Sequence, residues 1–81
     1  MTHEQILQKI QEILAQDFDI SPDKVTREAG FRSQLGLDSL DVVDLAYLIQ
    51  REFGLDKEMQ AYRGLHTVGM VVDFVHDQIS E

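Results

Sequence analysis

Eighty-one residues allow one small hydrophobic core, so a multidomain enzyme is excluded and a single domain over residues 1–81 is expected. A net charge of −8 with no basic run argues against nucleic acid or an anionic bilayer as partner, and no apolar run exceeds residues 45–49, far too short to span a membrane. With 43% hydrophobic residues the chain is too apolar for a disordered acidic tail, and with no cysteine it has neither a disulfide, a thiolate metal site nor a thiol nucleophile.

From His3 to about Gln16 the apolar residues Ile6, Leu7, Ile10, Ile13 and Leu14 recur on one face, which predicts an amphipathic helix. Its start, Met1-Thr2-His3-Glu4, has neither the basic residues nor the apolar stretch of a secretory signal, and a cytoplasmic protein is the simplest expectation.

Residues 17–37 form a connector that is long for so short a chain, and the entropy of ordering it requires that it pack. Ile20, Val25, Phe31, Leu35 and Leu37 are spaced irregularly, as in a loop pinned at several points. Within it Ser21-Pro22-Asp23 reads as a cap, a proline at the first helical position and a first-turn acid, predicting one short helical turn. Asp17, Asp19, Ser21, Asp23 and Glu28 also stand at the first, third, fifth, seventh and twelfth positions of a calcium loop. Proline, fixed near φ of about −65°, occupies the sixth position, where that loop needs glycine, so an acidic, partly helical loop is the better reading and no metal site is expected.

Residues 38–53 contain no Gly or Pro, and Gly54 follows as a C-terminal cap, which predicts the second helix. Val42, Leu45, Ala46, Ile49 and Phe53 cluster on one side, while Leu40, Val43 and Tyr47 form a second stripe on roughly the opposite side. Residues 55–63 have a weak pattern that admits at most a short helix. Thr67 then caps a last helix carrying Val68, Val71, Val72, Val75 and Ile79 on one stripe. No alternating run or hairpin signal occurs, so the fold class expected is all-α: a four-helix bundle of three main helices and one short helix, with the long loop between the first two. His66 and His76 have no paired-ligand spacing and read as surface residues.

The chemistry concentrates in Gly36-Leu37-Asp38-Ser39-Leu40-Asp41. Asp38 as N-cap and Asp41 three residues on resemble a capping box, which places Ser39 at the first helical position with its hydroxyl free. No histidine lies near it in sequence and the Gly-x-Ser-x-Gly elbow is absent, so Ser39 is not a hydrolase nucleophile and no catalytic residue is assigned. A phosphate ester on that hydroxyl would instead face unpaired N–H groups and the positive helix end. A plain helix-start serine is the other reading.

Phe31, Leu35-Gly36-Leu37-Asp38-Ser39-Leu40-Asp41, Val43-Asp44-Leu45, Glu52-Phe53-Gly54 and Thr67-Val68-Gly69, in this order over most of the chain, resemble the acyl carrier proteins. The resemblance implies that Ser39 receives a 4′-phosphopantetheine arm from coenzyme A through a separate phosphopantetheinyl transferase. The arm's thiol would then carry acyl groups as thioesters for acyl-loading, condensing and reducing enzymes, the carrier itself being a non-catalytic monomer. It further implies docking of basic patches on partner enzymes against Asp38, Leu40, Asp41, Val43, Asp44 and Tyr47; ordinary scattered surface apolars are the alternative for the stripe. Val42, Ala46, Ile49, Tyr62 and Val71 become candidates for lining an acyl cleft, with an ordinary closed core as the alternative and the large Tyr62 narrowing it.

Aspartate before Ser39 is similar to fatty acid and polyketide carriers, whereas peptidyl carriers more often have histidine there. Gln50 and Arg51 stand where many fatty acid carriers have acids, which shortens the acidic face. An aminoacyl or specialised-metabolite carrier, and an unmodified helical interaction module, are the rival expectations.

Overall fold

The structure, a computed structural model, describes residues 1–79. Three α-helices form it: α1 (His3–Phe18), α2 (Ser39–Phe53) and α3 (Val68–Ile79). Two single turns of 3-10 helix lie between them, Pro22–Lys24 in the first connector and Met59–Tyr62 in the second. The short fourth member of the bundle is thus one 3-10 turn, because Gly64 and the scattered apolar residues before it give no longer face to bury.

The helix ends follow from side chains that replace missing backbone partners. Thr2 Oγ1 accepts the Gln5 N–H (3.1 Å) and Gln5 Oε1 accepts the Thr2 N–H (2.9 Å), a capping box that starts α1. The helix runs two residues beyond the expected Gln16, since Asp19 takes the left-handed conformation (φ 56°) that usually falls to glycine or asparagine. At the end of α2 Gly54 takes that role (φ 66°), and its N–H bonds the Gln50 carbonyl. Thr67 Oγ1 accepts the Met70 N–H at 3.2 Å at the start of α3, in the expected capping position. Ser21, by contrast, precedes its 3-10 turn without a side-chain capping bond.

Ile6, Ile10, Ile13 and Leu14 of α1 meet Leu45 and Ile49 of α2 and Val68, Val71, Val72 and Val75 of α3 in one core. The connector contributes Val25, Ala29, Phe31 and Leu37 to that core, with Ile20 and Leu35 packed half-buried against it. It is also fixed by backbone bonds. Phe31 N–H donates to the His66 carbonyl (3.0 Å), Val68 N–H to Ala29 (3.0 Å) and Gly69 N–H to Arg27 (2.8 Å), while Gly30 and Thr67 form an isolated β-bridge. Gly69 is required there, because a Cβ would stand 2.9 Å from the Arg27 carbonyl oxygen. Arg27 also reaches Asp73 of α3 with a fork of 2.9 and 3.1 Å, and Gln11 of α1 donates to the Val25 carbonyl at 3.0 Å. The long loop is therefore laced to α1 and to the start of α3, which holds the first residue of α2 in place from below.

Candidate functional site

The start of α2 is set by Leu37 and Asp38. Leu37 is buried and donates its N–H to the Phe31 carbonyl at 2.9 Å, anchoring the chain as it enters the helix. Asp38 Oδ1 then accepts the Asp41 N–H at 2.9 Å, and Asp41 Oδ2 accepts the Asp38 N–H at 3.3 Å. Two of the four N-terminal N–H groups are satisfied in this way, and those of Ser39 and Leu40 have no intrahelical partner to accept them. Ser39 is exposed at the first helical position, and among the described residues its hydroxyl makes no hydrogen bond. Ser33 differs: its hydroxyl is held at 2.7 Å by Gln34 Oε1, which also accepts the Gly30 N–H at 2.6 Å.

Ser39 borders a cleft of about 420 Å³. Its apolar floor is Phe31, Val42, Tyr62 and Leu65, and its rim carries Arg32, Arg63 and His66, all exposed. A flexible arm with a phosphate at one end and amides along its length suits this mixture of apolar floor and hydrogen-bonding rim, and an anion at Ser39 would meet the free N–H groups of the first turn. The residues present therefore fit a phosphopantetheine group esterified at this end of α2.

Behind the cleft, Val42, Ala46, Ile49, Tyr62 and Val71, expected around an acyl cleft, do converge. With Phe31, Leu45 and Leu65 they line a small pocket of only about 10 Å³, the room of roughly a single water molecule. Tyr62 is 7% exposed and, with Phe31, Val42 and Leu65, lines both spaces. Burial pushes its phenol above the ordinary value of 10.0, since the charged form loses hydration.

Gln50 explains why a neutral amide stands in this stretch of α2. Its Oε1 accepts the Tyr62 hydroxyl (2.9 Å) and the Lys57 N–H (3.0 Å), and its Nε2 donates to the Lys57 carbonyl (2.6 Å). A carboxylate has no N–H for that last bond. The ring of Tyr62 also meets Phe74 edge to face, with centroids 5.2 Å apart.

The opposite side of α2 carries the expected second stripe. Leu40 is 75% exposed, Tyr47 56% and Val43 50%, with Asp38 and Asp44 exposed beside them. Asp41 is half-buried and engaged in the capping box. The Arg51 guanidinium stands 5.9 Å from the centre of the Tyr47 ring, so a cation borders the stripe where it nears the end of the helix.

Sequence reasoning missed Leu65, Phe74 and the role of Gln50. Phe74 was detectable, three residues after Val71 on α3, whereas Leu65 is an isolated apolar residue without periodicity. His66 lies on the cleft rim as a surface residue, but His76 is half-buried and stacked on His3 with ring centroids 3.9 Å apart. Among the described residues no three His, Asp or Glu side chains gather as a metal site.

The family model for a phosphopantetheine attachment site matches residues 8–75. The chain belongs to that family. Its relatives include acyl carrier proteins of Rubrobacter xylanophilus, 41% identical over 75 residues (93% of each chain), and of Thermosynechococcus vestitus, 35% identical over 80 residues (99% of each). The acyl carrier protein of Saccharopolyspora erythraea is 34% identical over 80 residues, covering 99% of this chain and 84% of the relative. Among solved structures, the acyl carrier protein of Enterococcus faecalis superposes with a TM-score of 0.77 at 32% identity, covering 96% of this chain and 99% of the other. The chain is accordingly a phosphopantetheine-bearing acyl carrier, a carrier and not a catalyst, whose partners are biosynthetic enzymes. No helix among the described residues is long and apolar enough to cross a membrane.

Proposed function

We propose that Ser39 bears the 4′-phosphopantetheine arm and that the chain, one carrier domain over residues 1–81, presents acyl thioesters to enzymes of fatty acid or polyketide synthesis. The observation that carries this reading is the Ser39 hydroxyl, exposed and unbonded at the start of α2 over a cleft of about 420 Å³. A separate phosphopantetheinyl transferase joins Ser39 Oγ to the phosphate of the pantetheine half of coenzyme A, with the nucleotide half leaving and the hydroxyl proton passing to a base outside this chain. The arm supplies the thiol that a cysteine-free chain lacks. Tethering then replaces free diffusion of the intermediate with a high local concentration at each partner's active site.

The carrier works as a monomer in the cytoplasm, and basic patches on its partners dock on Asp38, Leu40, Asp41, Val43, Asp44 and Tyr47. Support for that face comes from its exposed apolar stripe beside acidic side chains on a chain of net charge −8. Aspartate before Ser39 favours fatty acid or polyketide work over an aminoacyl carrier.

Incubation with coenzyme A, magnesium and a phosphopantetheinyl transferase, read by intact mass, tests the assignment. One arm is expected on the wild type and none on Ser39→Ala. Unchanged wild-type mass with several competent transferases would overturn it.

A further inference from the structure

The cleft beside Ser39 and the small pocket behind it are neighbours. They share Phe31, Val42, Tyr62 and Leu65 as walls, yet one measures about 420 Å³ and the other about 10 Å³. Of these shared walls Tyr62 is the one held in place by a side-chain hydrogen bond: its ring packs edge to face on Phe74, and its hydroxyl is fastened to Gln50. Gln50 is itself held by both backbone groups of Lys57, so the side chain that receives the hydroxyl has little freedom to follow Tyr62 outward. A rotation of the Tyr62 ring would give up the bond to Gln50 and the contact with Phe74 together.

We infer that Tyr62, fastened by Gln50 and Phe74, is a closed gate that keeps acyl cargo out of the space between α2 and α3, so that the carrier serves short acyl units held outside the core. The inference rests on attachment at Ser39. A short acyl group at the end of the arm needs no interior space, because the outer cleft and solvent accommodate it. A long alkyl chain gains from burial, and here the space it would enter has room for roughly one water molecule. Gln50 and Tyr62 therefore act as a pair that sets cargo length: the amide that stands where many fatty acid carriers have an acid is the one that holds the gate shut.

The test compares thioester exposure in loaded chains. Wild type, Tyr62→Phe and Tyr62→Ala are loaded from acetyl-, butyryl- and octanoyl-coenzyme A by a phosphopantetheinyl transferase, and loading is verified by intact mass. Cleavage of each thioester by hydroxylamine is then timed. For the wild type, octanoyl and acetyl rates should agree within about twofold, because the measured rate follows the exposed fraction and neither chain is sheltered. Tyr62→Ala should slow octanoyl cleavage about fivefold or more while leaving acetyl unchanged, as the two spaces become one. Tyr62→Phe, which keeps the ring and loses the tie to Gln50, should fall between them.

An octanoyl thioester already protected severalfold in the wild type would overturn the gate whether or not any variant folds. So would a folded Tyr62→Ala that protects octanoyl no better than the wild type. Failure of any donor to load Ser39 would instead overturn the attachment on which the gate depends, and the mass measurement separates that result from the others.

Discussion

The two ends of α2 are closed in opposite ways. At its start Asp38 and Asp41 satisfy each other's backbone N–H groups, so the turn is completed locally and Ser39 stays exposed. Toward its end Gln50 spends its amide on Lys57 and on the Tyr62 hydroxyl, which joins the helix to the following loop and buries Tyr62. Local capping leaves a reactive group open to a partner, whereas long-range bonding makes a cover. One helix can thus present an attachment point at one end and shut the core at the other.

The largest effect should come from the buried face of α2 between those ends. Ile49, on the inner face of α2, is buried against the rest of the core, and Ile49→Ala should cost about 2–5 kcal/mol in urea or guanidinium unfolding, the usual range for cavity formation. A loss under 1 kcal/mol would mean that the small pocket beside Ile49 relaxes easily and that the contrast between the ends is shallow. Gly69→Ala should follow with about 1–3 kcal/mol, because the added methyl presses on the Arg27 carbonyl and loosens the connector beneath Ser39.

Asp38→Ala and Tyr62→Phe probe the ends separately. Removing the cap should cost about 1 kcal/mol. Removing the hydroxyl should cost about 0.5–1.5 kcal/mol and should also change the alkaline limb of the stability curve. The folded phenol titrates above 10.0, so the unfolded chain releases this proton first. Stability from Tyr62 is complete below pH 10 and is lost as pH rises from there through the raised folded value. Tyr62→Phe should therefore flatten the decline above pH 10, measured by denaturant midpoints across pH 8–11. Twelve residues of helix, about 18 Å, separate Asp38 from Gln50, so the double variant should be additive within about 0.5 kcal/mol. Coupling beyond that would show that the ends are not independent.

The smallest effect on stability, within about 0.5 kcal/mol, is expected for Asp44→Lys on the exposed face. It should nevertheless slow arm transfer and acyl loading, most at low ionic strength, since a rim charge acts on encounter. Unaltered loading at low salt would move the docking surface away from this side of α2.

The caps of α2 and the stripes of all three helices were legible because they depend on residues three or four apart. Asp38, Asp41 and Thr67 stand where local spacing puts them. The long connector was legible only in part: Val25, Phe31 and Leu37 signalled pinning, but the bonds from Phe31 to His66 and from Gly69 to Arg27 join segments more than thirty residues apart. Gln50 was visible as a departure from an acidic pattern, and its purpose was not, since its partners depend on the path of the loop after Gly54. Tyr62 was readable as bulky, while its burial against Phe74 required the packing of two distant elements.

The most direct measurement is site mapping of the loaded protein by fragmentation mass spectrometry. The chain has serines at 21, 33, 39 and 80, so the assignment discriminates. The arm should sit on Ser39 alone, and Ser21→Ala and Ser33→Ala should load as the wild type does. An arm found on any other serine, or loading that survives Ser39→Ala, would contradict the account.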